Sequence, residues 1–355
     1  MKSVLRKLLP QTLIKKLKSA VDSFDQKLYP FFAENAFLSS VYYCFFSTQF
    51  RREHKAVLQG RLQYQASLNT IKSSSVLLRR NTHRLEKGLI MQPRRPIFAE
   101  AYIDETIECF AKCLLSEELC SEEFKWAQDV LVKYFSVTQS SMILDRARAR
   151  FESLTLKSFN SVDESLPYQH QQRVKSNISQ EQLHNLFKQR RSVRWYEQKP
   201  VEFTLISQAI EMAAQAPSAC NRQPFQFYTI TDMDKASDIA SIAMGTTGFS
   251  DNIPALIAVV GDLSAYPAER DRHVIYIDGG LASMQLMLAF ETLGLSSCPI
   301  NWPDIEICER KIAKRLNLAT HLRPIMLISV GHGEGNGQIP FSHKKSTSTL
   351  IKEVS

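Results

Sequence analysis

The sequence predicts an α+β fold whose first half is all helical. Three observations carry this. Glycine is scarce and segregated: of 12 glycines only Gly60 and Gly88 precede residue 245, and the rest lie between Gly245 and Gly337. A glycine-poor chain favours helices with few tight turns, and a glycine-rich one favours strands, turns and close backbone approach. Through residues 61–160 apolar residues recur at three- and four-residue steps, the period of a helix. After a polar stretch at 160–178 the texture changes to helices interspersed with a few short strands, which is an α+β pattern. The chain therefore divides into residues 1–60, 61–178 and 179–355.

The 355 residues are 44% hydrophobic and 23% charged, ordinary for a globular protein. A wholly disordered chain and a polytopic membrane protein are excluded. The net charge of +8 is uneven. Residues 1–60 hold ten Lys/Arg against four Asp/Glu, whereas residues 176–355 hold 17 against 18. Nucleic-acid binding would spread basic charge over the fold, so no nucleic-acid partner is expected. Seven cysteines form no CxxC pair, and Cys109 and Cys113 have no His at ligand spacing. Zinc needs four convergent ligands, so no metal is expected and buried free thiols are. The cysteine usage fits a reduced, cytoplasmic setting.

The chain starts with Lys2, Arg6, Lys7, Lys15, Lys16 and Lys18, interleaved with leucines at helical spacing. The lysines sit where a secretory signal would be apolar. An aromatic stretch follows from Phe31 to Phe50, interrupted by Glu34, Asn35 and several Ser and Thr. A spanning helix wants about 20 mostly apolar residues, and this stretch falls short. It reads as a helix pair that either packs on the protein's own core or lies on an anionic membrane surface, peripheral at its inner face. Two helical runs follow, around Ile103–Leu115 and Phe124–Phe135, with Pro93 and Pro96 before them. Just upstream, His83 and Glu86 share one helix face and Gly88 is placed to end the helix. The pair could do acid–base work or could be an intrahelical polar contact.

Beyond the polar stretch, helices are expected over 180–190, 204–215, 276–294 and 305–316. Strands are expected over 225–230, 255–260 and 324–330. Three segments there carry chemistry. The first is Arg190-Arg191-Ser192-Val193-Arg194-Trp195-Tyr196. Guanidinium forks match phosphate oxygens in pairs, and a hydroxyl adds a donor. In an extended chain Arg190, Ser192 and Arg194 would point one way and Arg191 the other. This is an anion site or a surface charge run. The second segment is Ala216-Pro217-Ser218-Ala219-Cys220-Asn221-Arg222-Gln223-Pro224, a loop of small polar residues between two prolines. The third opens on Asp278-Gly279-Gly280, continues as a Met and Leu stripe, and ends on Leu293-Gly294-Leu295 before Pro299-Ile300-Asn301-Trp302. Its stripe is core or subunit interface.

In this order and spacing the three segments resemble the nitroreductase family of FMN-dependent oxidoreductases. The resemblance covers residues 180–355, about half of the chain. It implies an α/β/α sandwich around a mostly antiparallel sheet, preceded here by an all-helical region. It implies FMN as cofactor, NAD(P)H as co-substrate, and a homodimer with a carboxy-terminal arm crossing to the partner. By position, Arg190, Arg191 and Ser192 match residues on the FMN phosphate and ribityl end. Arg194 matches the cation near flavin N1 and the C2 carbonyl. Pro217, Ser218, Ala219 and Asn221 match the loop that meets the flavin from the partner chain. Pro299, Ile300 and Asn301 match the turn whose backbone reaches flavin N5. Either Lys344 or Lys345 matches a late basic residue on the phosphate. No catalytic side chain is implied, because hydride moves between ring atoms. The electron acceptor is a small molecule that the sequence leaves open. Trp302 departs from the family pattern, and its bulk, with the long amino-terminal addition, raises the alternative of a flavin-fold scaffold or binding subunit at a membrane with little or no catalysis. Gly331-His332-Gly333-Glu334-Gly335-Asn336-Gly337 lacks GxGxxG spacing and a following helix, so it is no dinucleotide loop.

Overall fold

A computed structural model describes residues 10–159 and 163–354. Lys2, Arg6 and Lys7 of the basic start lie outside the described residues. The chain forms two compact units, residues 1–55 and 56–355.

In the first unit, helix α1 (Gln11–Phe32) is followed by α2 (Ala36–Val41), capped by the Asn35 side chain on the Leu38 N–H, and by a π-helical turn over Tyr42–Phe46. The aromatic rings pack on one another. Tyr42 is buried and meets Tyr29 edge-on at 6.0 Å, and Phe32 lies 5.1 Å from Phe46. Phe37 and Phe45 stay three-quarters exposed. The apolar run Ala36–Phe46 is too short to cross a membrane.

The second unit begins in α3 (Arg51–Ser67). Four helices then share a core: α4 (Val76–Leu89), α5 (Ile103–Leu114), α6 (Ser121–Val137) and α7 (Met142–Glu152). Ser75 and Ser141 cap α4 and α7 by accepting the Leu78 and Leu144 N–H groups. Leu78, Leu85, Ile107, Phe110, Phe124 and Tyr134 fill the interior, with Phe110 stacked on Phe124 at 4.7 Å. Helix α4 does not end at Gly88. It runs on to Leu89, and Gly88 sits where an added Cβ would lie 2.1 Å from the Phe98 ring. Gly88 therefore serves close packing, not termination. His83 and Glu86 form the intrahelical contact: Nδ1 lies 3.6 Å from Glu86 Oε2, and Glu86 Oε1 accepts the Trp126 indole N–H at 3.0 Å. Cys109 and Cys113 are buried free thiols in the same core.

The remaining elements build a three-layer sandwich. Helices α8 (Gln180–Gln189), α9 (Phe203–Ala213), α10 (Met233–Ala240), α11 (Val274–Thr292), α12 (Glu306–Leu316) and α13 (Thr347–Leu350) accompany four strands. These are β1 (Phe225–Ile230), β2 (Ala255–Asp262), β3 (Ser296–Asn301) and β4 (Leu322–Gly331), paired antiparallel in the order β1-β2-β4-β3. Strand β2, buried from Ala255 to Gly261, alternates. Ala255, Ile257 and Val259 face Ile206 and Ala209 of α9 and Leu286 and Phe290 of α11. Leu256, Ala258 and Val260 face Ile239 of α10 and Ile312 of α12. Gly279 lets α11 lie close on the sheet, since a Cβ there would come within 2.4 Å of Ile325. Helix α11 is apolar and long enough to span a membrane, but its buried face fills the sandwich.

Two expectations change. Pro299, Ile300 and Asn301 lie in an edge strand, not a turn, and an edge strand tolerates proline because its outward N–H needs no partner. Trp302 does not stand in an open cleft. It is buried, and its indole N–H donates to Glu309 at 2.8 Å, beside the buried Arg323.

Candidate functional site

Helix α8 starts on a capping box of Ser179 and Gln182 and ends at Arg190. From there the chain runs along the outer edge of β3. Ser192 bridges Ser297 in parallel, and the Val193 N–H donates to Ser297 O at 3.1 Å. Tyr196 anchors the far end. It is 2% exposed, donates its hydroxyl to Val193 O at 2.7 Å, and lies 2.8 Å from Ser329 Oγ.

The extended stretch gathers Arg190, Ser192 and Arg194 around one buried side chain, Cys298 of β3. Burial pushes the Cys298 thiol up, while Arg194, a Ser192 hydrogen bond and Arg190 pull it back down. Arg191 donates to the Arg190 carbonyl at 3.1 Å, and Arg194 to the Ser192 carbonyl at 3.2 Å. The Arg194 guanidinium also lies 5.8 Å from the Phe249 ring centre. Among the described residues none of these three arginines forms an ion pair, although most other arginines of the second unit do. Arg190 Nε and the neighbouring Ser297 Oγ are buried with no hydrogen-bond partner. Arg190 influences Glu291, whose carboxyl burial pushes up, but that carboxylate takes its hydrogen bond from Gln189. Guanidiniums without an ion pair beside orphaned polar atoms suit a multiply charged anion such as a phosphate, with Arg190 already in the field of the half-buried Glu291, whose Oε1 also has no hydrogen-bond partner.

The Pro217–Gln223 loop leads into β1. Pro217 is exposed, and Ser218, Ala219 and Asn221 are half-buried. Ser218 Oγ accepts the Gln223 N–H at 3.0 Å, closing the loop. Cys220, Asn221 and Gln223 all adopt left-handed φ near +50°. That conformation costs non-glycine residues about 1–2 kcal/mol each, least for Asn, so partners must hold it. Asp278 of α11 accepts the Ala219 N–H at 2.9 Å, and burial pushes its carboxyl above the usual range while that bond opposes the shift. From the helical half, Arg79 of α4 donates Nε to the Asn221 carbonyl at 2.8 Å. The Arg222 guanidinium lies 4.8 Å from the Tyr266 ring centre.

The arginine segment and this loop do not meet within one chain. They lie at diagonal corners of the sheet. Ser192 borders β3 at Ser297, which pairs with Val330 and, through it, lines up with Ala255. The loop enters β1 at Phe225, opposite Gly261 at the other end of β2. Three strand spacings of about 4.8 Å and six residues of about 3.3 Å put the corners roughly 24 Å apart. Pro299 and Ile300 lie in β3 near the arginine corner, with Ile300 buried and Asn301 exposed at the strand end. Lys344 and Lys345 are exposed in the tail before α13. Among the described residues no group of His, Cys, Asp and Glu could hold a metal ion.

Sequence reasoning missed Arg79, Asp278 and Cys298 as supports. Asp278 left a signal, one of only two acids in a long apolar helix, set between Ile277 and Gly279. Arg79 left none, because its partner loop lies 142 residues away.

A sheet of this order between two helical layers, with arginines that form no ion pair among the described residues along one edge, defines an α+β domain. Residues 187–248 and 241–332 of the chain match the model of the Nitroreductase family. The YdgI protein of Bacillus subtilis, provisionally named an NAD(P)H nitroreductase, is 28% identical over 189 residues, covering 43% of this chain and 88% of that one. The FMN reductase [NAD(P)H] of the same organism is 27% identical over 157 residues, covering 40% of this chain and 62% of that one. A nitroreductase family structure from Streptococcus pneumoniae TIGR4 is 23% identical, covers 48% of this chain and all of that one, and superposes with a TM-score of 0.42.

Proposed function

We propose that residues 179–355 bind FMN and use it to pass electrons from NAD(P)H to a small-molecule acceptor, as a homodimer. The observation that carries this is the cluster of arginines without carboxylate partners at one corner of the sheet. Bound FMN supplies the chemistry, accepting hydride from NAD(P)H and delivering electrons onward. The chain supplies the rest. Arg190, Arg191 and Ser192 hold the phosphate end, joined by Lys344 or Lys345. Arg194 holds a fixed cation that favours negative charge on the ring. Beyond Ser297, β3 keeps an edge-strand backbone whose outward groups no strand covers, which suits a contact from Pro299–Asn301 to the ring.

The diagonal supports the homodimer. An FMN molecule is too short to touch both corners of one sheet, so Ser218, Ala219 and Asn221 serve the flavin of the other chain. The exposed apolar residues suit such a partner: Ile277, Leu281 and Met284 on α11, and Phe341 and Ile351 in the tail. The test is a visible spectrum with added NADH, alongside a mass measurement in solution. We expect a bound flavin band that NADH bleaches and a quinone or nitroaromatic restores, on a dimer. A chain that takes up no FMN refutes the reading, and a flavin that NADH never bleaches leaves the inert scaffold.

We also propose peripheral association of residues 1–60 with an anionic membrane at its inner, cytoplasmic face. Ten basic residues against four acidic ones accompany exposed Phe24, Phe31, Phe37, Phe45 and Phe46. The full chain should co-sediment with phosphatidylglycerol vesicles at low salt, and a Phe45→Ser, Phe46→Ser variant should do so less. Equal sedimentation with phosphatidylcholine vesicles, or no change in the variant, would remove the idea.

A further inference from the structure

We propose that Arg79 of α4 is a positioning residue, through which the helical half fixes the Ser218–Gln223 loop in its flavin-contacting shape. The inference rests on the FMN reading above and adds a role for the helices.

The centre of the loop is strained. Three of its four residues from Cys220 to Gln223 sit at left-handed φ, and none of the three is glycine. Its own sandwich clamps its two ends, Asp278 on the Ala219 N–H and the Ala214 carbonyl and Ser218 Oγ on Gln223, but holds no carbonyl at its left-handed centre. On the other side of the loop the Asn221 carbonyl receives Arg79 Nε at 2.8 Å. That carbonyl belongs to one of the left-handed residues, so the bond acts on the strained peptide itself.

Arg79 is held firmly. Its Nη1 donates to Glu123 Oε2 at 3.0 Å, and the Glu123 side chain is only 3% exposed. Glu123 is fixed in turn by the Ser75 N–H at 2.8 Å and the Ser74 hydroxyl at 2.7 Å. The Arg79 guanidinium also lies 5.6 Å from the Trp126 ring centre, and Trp126 is tied to Glu86. The chain of contacts thus runs from the α6 start, through Glu123 and Arg79, to the Asn221 backbone. A guanidinium that only neutralised Glu123 would need no carbonyl of a loop 142 residues away. Two fork nitrogens used in two directions make a spacer of fixed length. The loop conformation, and with it the flavin contact of Ser218 and Asn221, then depends on helices outside the flavin-binding half.

The experiment compares Arg79→Gln with Arg84→Gln in the full-length protein. Arg84 is on the same helix but stacks on Tyr102, 3.5 Å from the ring centre, and serves as the stability control. Amide hydrogen exchange over residues 218–223 and FMN titration are read together. Arg79→Gln should speed loop exchange and raise the FMN dissociation constant about tenfold, as loss of one charged hydrogen bond implies. Arg84→Gln should leave both within about twofold even if it melts earlier. Glu123→Gln should give a weaker version of the Arg79→Gln result, and stands in for it should that variant not fold. Unchanged loop exchange in both Arg79→Gln and Glu123→Gln, or equal effects from Arg84→Gln, overturns the proposal. Faster exchange with no FMN binding even in the wild type keeps the positioning role and removes only the flavin reading.

Discussion

Replacing Arg190 and Arg191 together by alanine is expected to weaken FMN binding by about a hundredfold to ten-thousandfold. A hydrogen bond to a charged group contributes about 1.5–3 kcal/mol, and the double change removes at least two such bonds to phosphate. The fold should survive. Both residues follow α8 on the sheet edge, neither forms an ion pair among the described residues, and the segment stays anchored by Tyr196. The measurement is quenching of FMN fluorescence on titration, with thermal melting of the apoprotein as control. A dissociation constant within threefold of wild type would remove these arginines from the cofactor site. Salt dependence sharpens the result, because the double variant should also lose most of its sensitivity to ionic strength.

Trp302→Ala is expected to cost about 3–5 kcal/mol of stability while FMN affinity stays within a few-fold. Trp302 packs with Ile300, Ile312 and Leu327 on the face of the sheet beneath α12. Its truncation also strips one donor from Glu309, a 3%-exposed carboxylate that lies 3.6 Å from Arg323 Nη2. Arg323 is 4% exposed and bonds Asp304 at 3.2 Å as well, so a buried charge network depends on this corner. Differential scanning calorimetry and flavin titration separate the outcomes. A large gain in acceptor turnover without loss of stability would instead make Trp302 a gate.

The sheet was readable where its strands are regular. β1 and β2 show as an alternating and a continuous apolar run, and β4 as Pro324–Val330. β3 was hidden because Ser296-Ser297-Cys298-Pro299 has the composition of a turn, and only its edge position makes proline tolerable. Helix α10 was hidden by its polar start, Met233-Asp234-Lys235, although Asp232 caps it through the Lys235 N–H. The arginine segment was legible from charge type and spacing. Its neighbours on the sheet were not, since a pairing of Ser192 with Ser297 spans more than a hundred residues and leaves no periodic trace. Trp302 shows the opposite error. A bulky residue after a loop-like run reads as an obstruction, but burial against Ile312 and a hydrogen bond to Glu309 make it a structural anchor.

The diagonal placement of the arginine segment and the Ser218–Gln223 loop bears on how mutations combine. A chain damaged at one corner and a chain damaged at the other still hold one good copy of each half-site between them. If the chains pair as proposed, mixing them in one cell would rebuild one complete centre from two faulty products, whereas neither could do so alone. In the proposed homodimer the effective unit of selection on these residues would be the pair of chains, with damage at one corner masked or exposed by the partner it meets.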